Sequence, residues 1–159
     1  MSDEKLKNTA EAVAVDPLAI FEAPESEQKG IWIDVEDPRS GEVLMKWNIA
    51  RFGGSNNTAI VREERALKSK LPSGVRRQID AGGGDPEVVL RLNRQVFVRV
   101  SCLGWEMVHP SLKEQYGEFS FDAADKVFEK YARMYDLVAE AAAEEQNFAA
   151  KKLADQTGN

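Results

Sequence analysis

Apolar residues recur along this chain in two rhythms. In Ile31-Trp32-Ile33-Asp34-Val35-Glu36 the apolar residues Ile31, Ile33 and Val35 fall on one face, and in Val43-Leu44-Met45-Lys46-Trp47-Asn48-Ile49 so do Val43, Met45, Trp47 and Ile49. That period of two is the mark of half-buried strands. Asp37-Pro38-Arg39-Ser40-Gly41-Glu42 between them is a turn signal, so the pattern predicts a β-hairpin. A lone hairpin is marginal in water and must lie against other elements.

The second rhythm is helical. Arg51 to Asn57 reads as a loop, and Gly53-Gly54 within it as a turn, because neither a GxGxxG pattern nor a Walker lysine surrounds it. Thr58 is placed to cap a helix over 59–71, with Ile60, Leu67 and Leu71 on one side and Arg62, Arg65, Lys68 and Lys70 exposed. Pro72-Ser73-Gly74 breaks it, Val75 to Ile79 makes a short basic helical turn, and Gly82-Gly83-Gly84 ends that. Asp85-Pro86-Glu87 is a helix start: an N-cap acid, proline in the first position and an acid in the first turn. Val89, Leu92, Val96, Val100 and Leu103 follow at helical spacing, with Arg91, Arg94 and Arg99 off that stripe. Val96 to Val100 also has the β-branched character of a strand, but the helical period spans the longer window and is preferred. Gly104 closes this helix and Trp105 sits just beyond it; residues 106–118 read as an irregular link containing His109-Pro110 and Gly117. Ser120 or Asp122 caps a last helix, with Ala124, Val127, Phe128, Tyr131, Met134, Tyr135, Val138 and Ala142 as its apolar stripe, extending or bending as far as Phe148.

The fold class expected is therefore α+β, an N-terminal β-hairpin packed on a mainly helical domain, with Trp47, Leu92, Val96, Trp105, Phe121, Phe128, Tyr131 and Tyr135 in its core. Three regions are expected: a mobile acidic arm over 1–29, a single α+β domain over 30–150, and a frayed tail over 151–159. Within the arm, Val15, Leu18, Ile20 and Phe21 form an apolar island suited to docking on the core or on a partner.

Composition narrows the chemistry. A chain of 159 residues is large enough for one core without staples. The net charge of −6 gives no general affinity for nucleic acid. The charge is unevenly spread: residues 1–29 hold seven acids and three bases, residues 46–99 five acids and eleven bases, residues 106–145 ten acids and four bases. A positive middle between negative ends can fold back on itself or meet partners of opposite sign. Arg62, Arg65, Lys68, Lys70, Arg76 and Arg77 make a basic stripe, but without interleaved exposed aromatics or a nucleic-acid motif it reads as a solvated or acid-paired face. Cys102 is the only cysteine, a small buried residue rather than a reactive thiol, and it fits a reducing compartment. No run approaches the ~20 apolar residues of a membrane helix, and the polar N-terminus is not a signal peptide. His109 is the only histidine, so no histidine-rich metal site or histidine-based triad is expected, and Leu103 to Phe148 shows no nucleophile–base pair. Adjacent carboxylates such as Glu63-Glu64 and Glu144-Glu145 diverge by ~100° on a helix and cannot share a proton. No catalysis, metal or cofactor is expected.

Several elements taken in order resemble the tail assembly chaperones of long-tailed bacteriophages and prophages. They are the hairpin followed by Arg51-Phe52-Gly53, the basic helical middle from Ala66 to Ile79, the Asp-Pro-Glu helix from Asp85 to Trp105, and the Ser-capped last helix from Ser120 to Asn147-Phe148. The link after Trp105 is longer than is usual in that family, and the acidic arm is outside its pattern. The resemblance implies a non-enzymatic factor of the host cell cytoplasm that binds the tape measure protein. It would keep that long helical protein soluble until the tail tube polymerises and be absent from the finished tail. Partner-binding residues on this view are Arg62, Arg65, Arg76, Arg77, Asn147 and Phe148. Tail tube protein and self-association stay open as further contacts; membrane and nucleic acid are not expected. Two other classes compete: a permanent tail or head-completion component, and a small nucleic-acid-binding regulator using the basic middle.

Overall fold

The computed structural model describes residues 16–149. Expectations for residues 1–15, which make up half of the acidic arm and include Val15, and for the tail over 151–159 lie outside the described residues. The fold is α+β, with a three-stranded antiparallel sheet of order β1-β2-β3 and helices packed against one face of it.

The hairpin forms as the alternation predicts. β1 (Ile31–Glu36) pairs with β2 (Val43–Ile49), placing Ile31 opposite Ile49, Ile33 opposite Trp47 and Val35 opposite Met45, so the apolar positions of both strands share the inner face. The turn closes through Asp37, whose side chain accepts from the Arg39 N–H while its carbonyl accepts from Gly41, a residue with φ of 73°.

The third strand was not expected. The helix beginning at Asp85 stops at Ser101, and Cys102–Met107 runs on directly as β3, antiparallel to β2, with Trp105 opposite Trp47 and Met107 opposite Met45. Leu103 and Gly104 therefore belong to a strand and not to the helical stripe. The helical period continues by coincidence through Leu103, but the unfilled hydrogen bonds along β2 take this segment up as a strand.

The helices are α1 (Asn57–Lys68), α2 (Ser73–Asp80), α3 (Pro86–Ser101), α4 (Pro110–Tyr116), α5 (Phe121–Lys130) and α6 (Ala132–Ala143), and residues 145–149 are helical again. Asp85 caps α3 by accepting from the Glu87 N–H, and Ser120 caps α5 by accepting from the Ala123 N–H. Thr58 does not cap α1, which begins at Asn57 after a short 3-10 turn at Gly54–Asn56 and has no side-chain cap. The link over 106–118 is not irregular: it contains the end of β3 and all of α4. The expected last helix is divided at Tyr131 (φ −122°, ψ 78°), which lets α6 turn back onto the sheet and α5.

Helix α3 is the pillar of the domain. On one side Leu92 and Val96 meet Leu67 of α1; on the other, Phe97 and Val98 join the main core with Trp47, Ile49, Phe128 and Val138. The Trp47 ring stacks on Phe128 (centroids 4.7 Å apart, 17° between planes) and meets Trp105 edge-on at 5.2 Å, an arrangement suited to aromatic quadrupoles. Trp105 and Tyr135 are half-buried against this cluster. Two expected core residues are not in it: Phe121 is 47% and Tyr131 41% exposed. Both stand at helix ends, where the stripe no longer points inward.

The packed domain also starts earlier than residue 30. After a 3-10 turn at Pro17–Phe21, a helical turn at Ser26–Lys29 carries Glu27 into the interior, with 2% of it exposed. Its carboxylate accepts from Arg51 Nη1 at 3.1 Å and from the Ser55 N–H and hydroxyl at 3.3 Å. Its carbonyl accepts from the Arg51 N–H and from Asn56 Nδ2. The Ser26 hydroxyl donates to the Phe148 carbonyl at 3.1 Å, so the same turn ties the two ends of the domain together. The apolar island does not dock: Leu18, Ile20 and Phe21 are 65–79% exposed.

Candidate partner-binding face

The basic stripe of the sequence becomes a surface through the packing of α1 and α2. Ile60 and Leu67 turn α1 inward against α3, and Ile79 does the same for α2, which leaves the other faces of both helices to solvent. Arg62, Arg65 and Arg77 are exposed and Arg76 is half-buried. Among the described residues none of the four makes an ion pair. The acids of α1 are engaged elsewhere: Glu64 holds Lys68 at 2.9 Å, and Glu63 faces Arg99 at 3.9 Å. Lys68, expected to be exposed, is instead 21% exposed and bridges α1 to Asp80 of α2 at 3.1 Å. Its hydrogen bond to Glu64, followed by the one to Asp80, holds its ammonium above the usual lysine range. Lys68 thus ties the two helices together, and the arginines remain as the outward-facing cations.

Between those arginines the surface is apolar. A shallow groove of about 600 Å³ is lined by Thr58, Val61, Arg62, Arg65, Ala66 and Ser69, and Val61 is 55% exposed. A second depression shares Val61 and Arg65 and extends to Arg76. Arg62, Arg65 and Arg76 are thus brought to one continuous face, with Arg77 on the same short helix. An exposed aliphatic centre edged by cations suits the apolar stripe of an acidic amphipathic helix.

The other two partner residues are not part of it. Phe148 is fully buried in the main core, and Asn147, which is exposed, donates to the Ala141 carbonyl at the end of α6. The family resemblance implied a partner-binding role for both. The fold uses the phenylalanine as a plug and the asparagine as a cap for the last turn of α6.

His109 Nδ1 accepts from the Ser111 N–H (3.2 Å) and lies 2.8 Å from the Ser111 hydroxyl, a nucleophile–base contact that the sequence did not suggest. Because the same nitrogen caps α4, the imidazole is held in place by the helix it starts. Burial pushes the Cys102 thiol well above its ordinary range, which disfavours the reactive thiolate. Among the described residues no group of three or more His, Cys, Asp or Glu is placed to hold a metal ion, and no helix is long and apolar enough to cross a membrane. Compared with protein-family models, with curated proteins and with solved structures, the chain matches none.

Proposed function

We propose that this protein is a phage tail assembly chaperone that binds the tape measure protein and performs no chemistry. The observation that carries the reading is the α1–α2 face: Arg62, Arg65 and Arg76, without ion pairs among the described residues, around the exposed Val61, with Arg77 exposed on the same short helix as Arg76. A tape measure protein is a long helical chain whose apolar stripes aggregate if left bare. A basic-rimmed aliphatic face covers such a stripe where it is edged by acids, and several weak contacts along one chain add to a firm but displaceable grip. The order of elements supports the same reading, since the hairpin, the Arg51-Phe52-Gly53 step, the capped start of α3 and the capped α5 follow the family's sequence of features, although Trp105 stands in β3 and not at the end of α3. On this view the protein works in the host cytoplasm and leaves the finished tail.

The test is co-expression with the tape measure protein of the same phage or prophage. Wild type should raise the partner's soluble fraction, and the Arg76→Glu, Arg77→Glu double variant should lose most of that effect while keeping its helical circular dichroism. An insoluble tape measure protein in the presence of wild type, with this chain found at fixed copy number in mature particles, would replace the proposal with a permanent structural role.

A further inference from the structure

Strand β1 is an outer edge of the sheet, and its free side is open. The Leu44 carbonyl of β2 accepts from the Val108 and His109 N–H groups, and the Ala50 N–H donates to the Ser101 carbonyl. By the alternation of an antiparallel ladder, the backbone groups of Leu44, Lys46 and Asn48 serve β3, and those of Met45, Trp47 and Ile49 serve β1. Their partners on β1 are Val35, Ile33 and Ile31, so the N–H and carbonyl groups of Trp32 and Asp34 point away from the sheet. Among the described residues no hydrogen bond takes those groups up. Alongside this edge runs a groove of about 620 Å³, with Ile33 and Asp34 as its strand wall and Asp136, Leu137, Glu140 and Ala141 of α6 as its helix wall. Leu137 is 45% and Trp32 54% exposed. Asp34, Asp136, Glu140 and, at the far end, Glu144 are exposed, and none of them makes an ion pair among the described residues. Arg133 is the single cation in the lining among the described residues, which leaves the groove acidic.

We infer that this groove receives an extended, basic segment of another protein, which joins the sheet as a strand beside β1. The backbone decides the conformation of the guest. An extended chain presents an N–H and a carbonyl to the same side at every second residue, about 6.6 Å apart, which is the spacing from Trp32 to Asp34. A helix has already spent those groups on itself. The side chains decide its chemistry. Guest residues turned toward α6 meet Ile33, Leu137 and Ala141, which suits a valine, isoleucine or leucine. Guest residues turned to the outer face lie beside Trp32 and Asp34, where a lysine or arginine covers the indole with its stem and brings its charge to the carboxylate. Asp136, Glu140 and Glu144 add three more carboxylates from the helix wall. The same acids repel an acidic segment, and a second copy of β1 would set its own Asp34 and Glu36 among like charges. The edge is thus open to pairing but restricted to basic guests. The groove shares no residue with the α1–α2 face, so the inference does not rest on the tape measure reading.

The test is titration of the full chain with a synthetic peptide of alternating lysine and valine, read by fluorescence anisotropy and by amide hydrogen exchange in NMR. Binding should slow exchange at the Trp32 and Asp34 amides by about tenfold or more, while Ile31, Ile33 and Val35, already bonded to β2, change by less than about twofold. Two further peptides, methylated at alternate backbone nitrogens in either phase, remove the donors on one side or the other. At least one of them should bind about tenfold more weakly than the parent. Asp136→Asn with Glu140→Gln should weaken binding of the parent about fivefold or more, with unchanged circular dichroism. The inference is overturned if the parent peptide does not bind at about 1 mM. It is overturned equally if exchange at Trp32 and Asp34 is unchanged in the complex, if both methylated peptides bind as the parent does, or if the double variant binds as wild type does. A helical lysine–leucine peptide of the same charge that binds more tightly than the parent and leaves those two amides unprotected would reassign the groove to a helix.

Discussion

Single side chains in this protein divide sharply between those that carry the core and those that only resemble core residues in sequence. Phe128 is 2% exposed and sits between Trp47, Phe97 and Tyr135, whereas Phe121 is 47% exposed and touches Phe119 and the Arg99 guanidinium. Phe128→Ala should therefore cost about 3–5 kcal/mol of stability in urea denaturation, and Phe121→Ala under about 1 kcal/mol. Equal effects would show that the helix end is packed in solution. Cys102 offers a second check at this scale. It is 1% exposed and its thiol is raised by burial, so at pH 8 a thiol-specific disulfide reagent should leave it essentially unreacted in the native protein and modify it fully in denaturant. Rapid native-state labelling would mean that β3 opens.

Elements are set by their ends as much as by their stripes. Asp85 and Ser120 make side-chain bonds to the first free N–H groups of α3 and α5, and Thr58 makes none to α1. Asp85→Ala and Ser120→Ala should each lower stability by about 1 kcal/mol, while Thr58→Ala should stay within about 0.5 kcal/mol of wild type in the same denaturation assay. A loss at Thr58 equal to that at Ser120 would contradict the observed start of α1. The two caps were legible because an acid or hydroxyl before a first turn has one local use. The cap at Thr58 was misread because Gly54–Asn56 already winds the chain into the helix.

For the molecule as a whole, the decisive long-range feature is the Glu27–Arg51 pair, with side chains 2% and 18% exposed. Gly54 makes room for it: a Cβ there would strike both the Arg51 guanidinium and the Glu27 carboxylate, at a φ of 53° that already favours glycine. A chain starting at Asp16 keeps this pair and should retain wild-type stability. One starting at Gly30 loses Glu27 and leaves Arg51 without its partner in the interior, which should cost about 3–5 kcal/mol in the same denaturation assay. Equal stability of the two truncations would show that the pair is replaced by solvent without loss.

Local pattern alone determined the hairpin and its register, because a period of two with one buried face allows no slip without turning Trp47 and Met45 outward. It also determined the start of α3 and α5, the inward face of α1 and the side of α3 that meets it, the burial of Cys102 and the basic character of the α1–α2 region, but not the Phe97–Val98 side of α3 that faces the main core. Each of these rests on residues within a few positions of one another. What tertiary structure decided depends on contacts between distant segments. Cys102–Met107 is a strand because β2 offers an open edge, and Tyr131 breaks a helix so that Val138 and Phe148 can reach the core. Glu27 is interior because Arg51 waits there, and Phe148 is a plug rather than a contact because the chain's two ends meet at Ser26. The basic face is likewise absent from any local window: the charges stand in the sequence, but only folding sets Arg62, Arg65 and Arg76 on one face without ion-pair partners among the described residues.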